Sequence, residues 1–94
     1  MNRKRDRLEI IQDILKSIRE KKGLVKQTHI LYKSNLSHQM LTEYVNYLKE
    51  KGFIEEKEDK KGKKHFELKD KGFNFLEDYE KIKGLIESYG LDED

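Results

Sequence analysis

Most of the sequence has the spacing of apolar residues that is typical of helices. A short stretch before the last predicted helix instead alternates polar and apolar residues, as a strand does. Residues 65–69 alternate polar and apolar side chains, and residues 53–57 form a second strand-like run across a charged loop. The loop has no Asn-Gly or Asp-Gly signal, which leaves the strand register open. We therefore predict a mainly α chain with a small β-hairpin, an α+β arrangement. The predicted helices cover residues 6–22, 27–33, 37–51 and 70–89.

Apolar stripes indicate which side of each helix is buried. The stripe of the first helix consists of Leu8, Ile11, Leu15 and Ile18, widened by Ile10 and Ile14. The stripe of the third helix consists of Leu41, Tyr44, Val45 and Leu48. In the last helix, which Asp70 is expected to cap, Phe73 and Leu76 are predicted to pack back onto the domain.

Residues 27–51 combine a short helix, a tight turn and a longer helix. Asn35 tolerates the left-handed backbone that such a turn requires, and Ser37 is a suitable cap for the helix that follows. Leu36 and the apolar stripe of the third helix would hold the two helices together. This pattern is typical of a helix-turn-helix, whose second helix enters the major groove of DNA.

The outward face of the third helix carries polar groups that can read base edges. Amide side chains pair with adenine, and threonine meets a base edge or a thymine methyl group. Glu43 lies close to this face and counts against tight phosphate contact, and an ordinary polar helix surface is the alternative interpretation. The candidate DNA-binding residues on and beside this helix are Lys33, Ser37, His38, Gln39, Thr42, Asn46 and Lys49.

Lysines crowd the loop of the predicted hairpin, where they occupy five of the eight positions in residues 57–64. At a hairpin tip they would form a mobile cationic finger that follows a phosphate backbone or enters a minor groove. Glu58 and Asp59 dilute this charge, and a solubilising turn is the alternative interpretation. The candidate DNA-binding residues of this loop are Lys60, Lys61, Lys63 and Lys64.

The net charge of +2 conceals an asymmetry along the chain. Residues 1–69 carry 18 Lys and Arg against 11 Asp and Glu, a net charge of +7. Residues 70–94 carry 3 against 8, a net charge of −5. A basic body with an acidic end favours contact of the body with a polyanion.

The last helix carries an apolar stripe at coiled-coil spacing, held for about two heptads. A chain this small would struggle to cover such a stripe alone, so we predict a two-helix dimer interface. A helix that folds back on its own core is the alternative. The candidate interface residues are Phe75, Tyr79, Ile82, Leu85, Ile86 and Tyr89.

Several classes of chemistry find no support in the sequence. The chain has no cysteine, its three histidines lack metal-ligand spacing, and its six glycines stand alone rather than in a phosphate-binding loop. No apolar run approaches the roughly 18 residues of a membrane span. We therefore expect no catalytic residues, no metal, no cofactor, no small-molecule ligand and no membrane partner, and a cytoplasmic location.

Three stretches carry a family resemblance: residues 8–11 (LEII), 30–37 (ILYKSNLS) and 68–72 (LKDKG). On them the chain resembles the small archaeal winged-helix proteins of the 10a chromatin type, named for Sulfolobus. The resemblance implies a winged helix-turn-helix fold, DNA binding, and a homodimer joined by an antiparallel coiled coil of the last helices. It also implies that helix 37–51 is the recognition helix and that the lysine loop is the wing. Ser34 stands where the family has alanine, and the last helix is shorter than in chromatin-type members.

The sequence thus predicts a DNA-binding domain over residues 1–69 and a dimerisation helix with an acidic end over 70–94. The homodimer would bind double-stranded DNA in the nucleoid, as a transcription regulator or a chromatin-type architectural protein. A winged-helix module that binds protein within a larger complex is the alternative, and RNA binding ranks below it. The sequence does not separate regulator from architectural protein, or a parallel from an antiparallel dimer.

Overall fold

The computed structural model describes residues 6–20, 30 and 36–92 of the chain. In chain order the elements are α1 (Arg7–Glu20), α2 (His38–Glu50), β1 (Ile54–Glu58), β2 (Lys64–Leu68) and α3 (Asp70–Ser88). This order confirms the predicted mainly α chain with one small hairpin. Of the predicted helix at 27–33 the structure describes Ile30, which is helical and buried, and Lys33 and Asn35 lie outside the described residues.

The start of α2 is determined locally, as the sequence predicts. The Ser37 side chain accepts a hydrogen bond from the backbone N–H of Met40 at 3.2 Å, which is the geometry of an N-terminal cap. Gly52 follows the helix with a φ of 81°, a left-handed conformation that favours glycine. The predicted cap of α3 is wrong, because Lys69 occupies the cap position without a side-chain bond and Asp70 lies in the first turn.

The core lies between α1, α2, the inner face of the hairpin and the first half of α3. The strands pair antiparallel, with Ile54 opposite Leu68, and the pairing extends to Glu58 opposite Lys64. Two predicted core positions are wrong, since Leu8 is 50% exposed and Phe73 is 44% exposed. The buried apolar side chains are Ile10, Ile11, Ile14, Leu15, Ile18, Ile30, Leu41, Val45, Leu48, Ile54, Phe66 and Leu76.

The first turn of α3 is held tightly against the segment that joins α2 to β1. The N–H of Lys69 donates to the carbonyl of Phe53 at 3.0 Å, and Lys71 Nζ donates to the carbonyl of Lys51 at 2.9 Å. Gly72 is buried beneath this contact, where a Cβ would lie 2.5 Å from the carbonyl oxygen of Phe53. The absence of a side chain at this position therefore sets how closely α3 approaches the core.

We expect Gly72→Ala to destabilise the fold by about 1–3 kcal/mol, because the added methyl group must displace backbone. The melting temperature should fall by roughly 4–8 °C per kcal/mol in a domain of this size. Gly84→Ala is the matched control on the same helix, since nothing lies within 4 Å of its Cβ position. That control should stabilise α3 by about 0.5–1 kcal/mol through helix propensity. Equal melting shifts for the two variants would contradict the close approach.

Candidate nucleic-acid interface

The predicted DNA-reading residues of α2 form an open polar surface. Leu41, Val45 and Leu48 are buried on one side of the helix and anchor it to the core. This anchoring turns the polar side toward solvent. The exposed residues of the predicted set are Ser37, His38, Gln39, Thr42, Asn46 and Lys49.

Two members of this set have contacts within the protein that the sequence does not predict. The Thr42 hydroxyl donates to the backbone carbonyl of His38 at 2.9 Å, so its proton is used within the helix. Lys49 Nζ lies 3.3 Å from Glu56 Oε1 on β1. This ion pair connects the helix to the hairpin and offsets the charge that Lys49 would offer a phosphate.

The tip of the hairpin, where the sequence predicts a mobile loop longer than a tight turn, is a compact turn organised by Asp59. The Asp59 Oδ1 atom accepts the backbone N–H groups of Lys61 at 2.8 Å and Lys63 at 2.9 Å. Gly62 has a φ of 82°, as such a turn requires. The turn leaves the side chains of Lys60, Lys61, Lys63 and Lys64 exposed.

Lys57 differs from the other lysines of the hairpin. Its Nζ lies 3.1 Å from a carboxylate oxygen of Glu55 and 3.5 Å from one of Glu67. The hydrogen bond to Glu55 contributes most to raising the pKa of Lys57. His65 bonds Glu67 at 2.8 Å and thereby lowers the pKa of that carboxyl group. In the described part of the chain, no ion pair involves Lys60, Lys61, Lys63 or Lys64.

The pKa of Asp59 lies below its usual 3.8, mainly because the backbone N–H of Lys63 bonds to the carboxylate. The ionised Asp59 carboxylate therefore stabilises the turn fully above pH 3.8. This contribution is lost as the pH falls through the lowered pKa. We therefore expect the Lys61 and Lys63 amide protons to stay protected from exchange near neutral pH and to lose protection only below 3.8. Asp59→Ala should remove this protection at every pH, whereas Asp59→Asn keeps an acceptor oxygen and should retain part of it. Amide exchange measured by NMR provides the test, and unchanged protection in Asp59→Ala would contradict the geometry.

A cation outside the predicted DNA-binding set lies beside α2. The guanidinium group of Arg7 lies 4.5 Å from the centre of the Tyr47 ring, and Lys51 Nζ lies 5.8 Å from the same centre. Arg7 also contributes to an open pocket of about 370 Å³ along this flank of α2. The sequence has no signal for this contact, because α1 and α2 are brought together only by the core.

The predicted interface residues of α3 divide into two groups. Phe75 is half-buried within the protein, where its ring meets Phe53 edge-on at 5.8 Å and stacks on Tyr79 at 5.6 Å. The second half of the helix is open instead. Its exposed apolar side chains recur at spacings of three and four residues. They are Ile82, Leu85, Ile86 and Tyr89, whose exposed fractions are 53%, 60%, 38% and 74%.

The polar helix α2, the hairpin beside it and the long α3 are thus arranged around one core. A family model described as winged helix-turn-helix matches residues 4–87 of the chain. The chain belongs to the winged helix-turn-helix family. In such a protein α2 has the position of the recognition helix, and the β1–β2 hairpin is the wing.

Solved structures of winged-helix proteins share this architecture. Sso10a-2, a DNA-binding protein from Sulfolobus solfataricus, matches with a TM-score of 0.71 at 22% identity, over 92% of this chain and 90% of its own. A MepR variant from an S. aureus clinical isolate matches with a TM-score of 0.72 at 18% identity, over 85% of this chain and 60% of its own. The PcaV transcriptional regulator from Streptomyces coelicolor matches with a TM-score of 0.63 at 20% identity, over 71% of this chain and 48% of its own.

The match to Sso10a-2 confirms the resemblance to the archaeal 10a proteins. The winged-helix chain spans less than two thirds of the MepR and PcaV structures. No curated protein sequence matches it at a significant level. Among the described residues, no helix is long and apolar enough to span a membrane, and no group of three His, Asp or Glu side chains is placed to hold a metal ion.

Proposed function

We propose that this winged-helix protein binds double-stranded DNA through α2 and the wing. The observation that carries the proposal is the pairing of an exposed polar helix face with a compact hairpin tip whose exposed lysines form no ion pair among the described residues. Lysine ammonium groups neutralise phosphates without selecting bases, so the wing supplies affinity. The face of α2 supplies groups that hydrogen-bond base edges in the major groove.

Dimerisation is the second part of the proposal. The length of the open apolar face of α3 and its helical spacing support the proposal that this face is a self-association surface. A dimer would bury Ile82, Leu85, Ile86 and Tyr89, which are all more than a third exposed in the single chain. Two recognition helices would then address two half-sites on one duplex. The division into a DNA-binding domain and a dimerisation helix at residue 69 stays a prediction.

The role that fits this assembly is control of transcription or organisation of DNA in the nucleoid. Sso10a-2 is a DNA-binding protein and PcaV is a transcriptional regulator, and both share the fold. Binding within a larger protein complex is the rival function, because carboxylates also face outward from α2. The two roles differ in whether a naked duplex is bound at all.

A salt titration tests the proposal. The dissociation constant for a random-sequence duplex, measured by fluorescence anisotropy, should rise steeply with salt, with a logarithmic slope of about 0.9 per neutralised phosphate. Double-stranded RNA of matched length serves as the competitor that separates DNA binding from RNA binding. Failure to bind duplex DNA at low salt would exclude the proposed function and favour the protein-binding role.

A further inference from the structure

The outermost ridge of α2 contains two carboxylates among its base-reading amides. The helix buries Leu41, Val45 and Leu48, and at about 100° per residue the positions farthest from this buried side lie half a turn away. These positions follow spacings of four, three and four residues, and all are exposed. They are Gln39, Glu43, Asn46 and Glu50.

Neither carboxylate on this ridge is neutralised within the described part of the protein, where no ion pair involves Glu43 or Glu50. Lys49 pairs with Glu56, and Arg7, which lines the same pocket as Glu43, lies over the Tyr47 ring and forms no ion pair with that carboxylate. Both negative charges would therefore enter the major groove together with the amides.

A carboxylate in the major groove favours binding to some base pairs and disfavours binding to the others. It accepts hydrogen bonds only, so it suits the exocyclic amine of cytosine and is repelled by the O6 and N7 acceptors of guanine. It is also repelled by phosphates when no base donor meets it. Glu43 and Glu50 are seven residues apart, or about 10 Å along the helix, which corresponds to roughly three base pairs.

We propose that Glu43 and Glu50 are specificity determinants that require an amine donor, foremost that of cytosine, at two positions about three base pairs apart. They lower the affinity for duplexes that lack these donors. The protein is then a site-selective DNA-binding protein rather than one that coats DNA uniformly. This inference rests on the proposed function, because it assigns a role to residues of the same DNA-binding surface.

The test is a selection from a randomised duplex pool with the full chain and three variants. Glu43→Gln and Glu50→Gln each remove one charge from the ridge, and Glu77→Gln removes one from an exposed position on α3 as the matched control. We expect the unmodified protein to enrich sites with cytosine at two positions. Glu43→Gln should change one of them toward adenine, which pairs with glutamine, and Glu50→Gln should change the other. Each should also bind the unselected pool about 3- to 10-fold more tightly.

The possible outcomes distinguish failure of this inference from failure of the proposed DNA-binding function. A change of preferred base in the ridge variants, with Glu77→Gln matching the unmodified protein, supports the inference. DNA binding without enrichment, or ridge variants that behave like Glu77→Gln, overturns it and leaves the proposed function intact. Absence of duplex binding by all four proteins overturns both. Thermal melting of each variant checks that these exposed substitutions leave the fold unchanged.

Discussion

Replacing Lys60, Lys61 and Lys63 of the wing with glutamine is expected to weaken binding to random duplex DNA by about 100-fold or more at low salt. These lysines are exposed and form no ion pair in the described part of the chain, although Asp59 offsets part of the charge of Lys63, so their ammonium groups can reach phosphates. The logarithmic salt slope should fall by about 0.9 for each phosphate that the variant no longer neutralises. Anisotropy titrations at several salt concentrations measure both quantities.

The matched control separates the position of the charge from its amount. Lys16, Lys69 and Lys81 are also exposed but lie on α1 and on α3 with its cap. Their replacement by glutamine removes the same charge and should change the affinity by about threefold or less, because they lie outside the turn at the hairpin tip. Glutamine retains the backbone N–H groups that bond Asp59, so the turn keeps its shape. Similar losses in both triple variants would show that net charge alone attracts the DNA.

Ile82→Glu should convert the proposed dimer to a monomer. Ile82 is 53% exposed at the start of the open face of α3, and twofold symmetry would place two glutamates in one apolar interface. Burial of an unpaired carboxylate costs several kcal/mol, so dimer affinity should fall by about 1000-fold or more. The mass in solution should decrease from twice 11.3 kDa to 11.3 kDa. DNA affinity should fall by about 100-fold, because the two recognition helices are no longer linked.

Phe73→Glu provides the control on the same helix. Phe73 is 44% exposed and lies nine residues before Ile82, which places it on the opposite side of α3. This variant also gains a negative charge and loses an exposed apolar side chain, yet the open face of Ile82, Leu85, Ile86 and Tyr89 remains. It should therefore keep the dimer mass. A monomeric unmodified protein at high concentration, or equal dissociation of both variants, would contradict this interface.

Features set by near neighbours in the chain were predictable from sequence. The bounds of α2 follow from a serine cap before it and a glycine after it, and the observed helix matches the prediction to within a residue. The hairpin follows from alternation over residues 65–69, although each strand is displaced by one residue. The exposed face of His38, Gln39, Thr42, Asn46 and Lys49 follows from helical periodicity once the buried stripe is known.

Errors arose where periodicity indicates a side of a helix but not what covers it. Leu8 and Phe73 share spacing with buried residues, yet each is about half exposed. Phe75 belongs to the heptad stripe, but Phe53 and Tyr79 contact it within the same chain. Packing partners that are distant in sequence leave no periodic signal, so a stripe alone could not separate core from open surface.

The sequence by itself determined the order of elements, the caps that delimit α2 and the lysine-rich wing, because each depends on residues within a few positions of one another. Only the tertiary structure decided how the charges and close contacts are arranged. It paired Lys49 with Glu56, placed Arg7 over Tyr47, and required glycine at position 72 beneath Phe53. Each of these contacts joins separate elements, and their distances exist only after burial of the apolar core has brought the helices and the hairpin together.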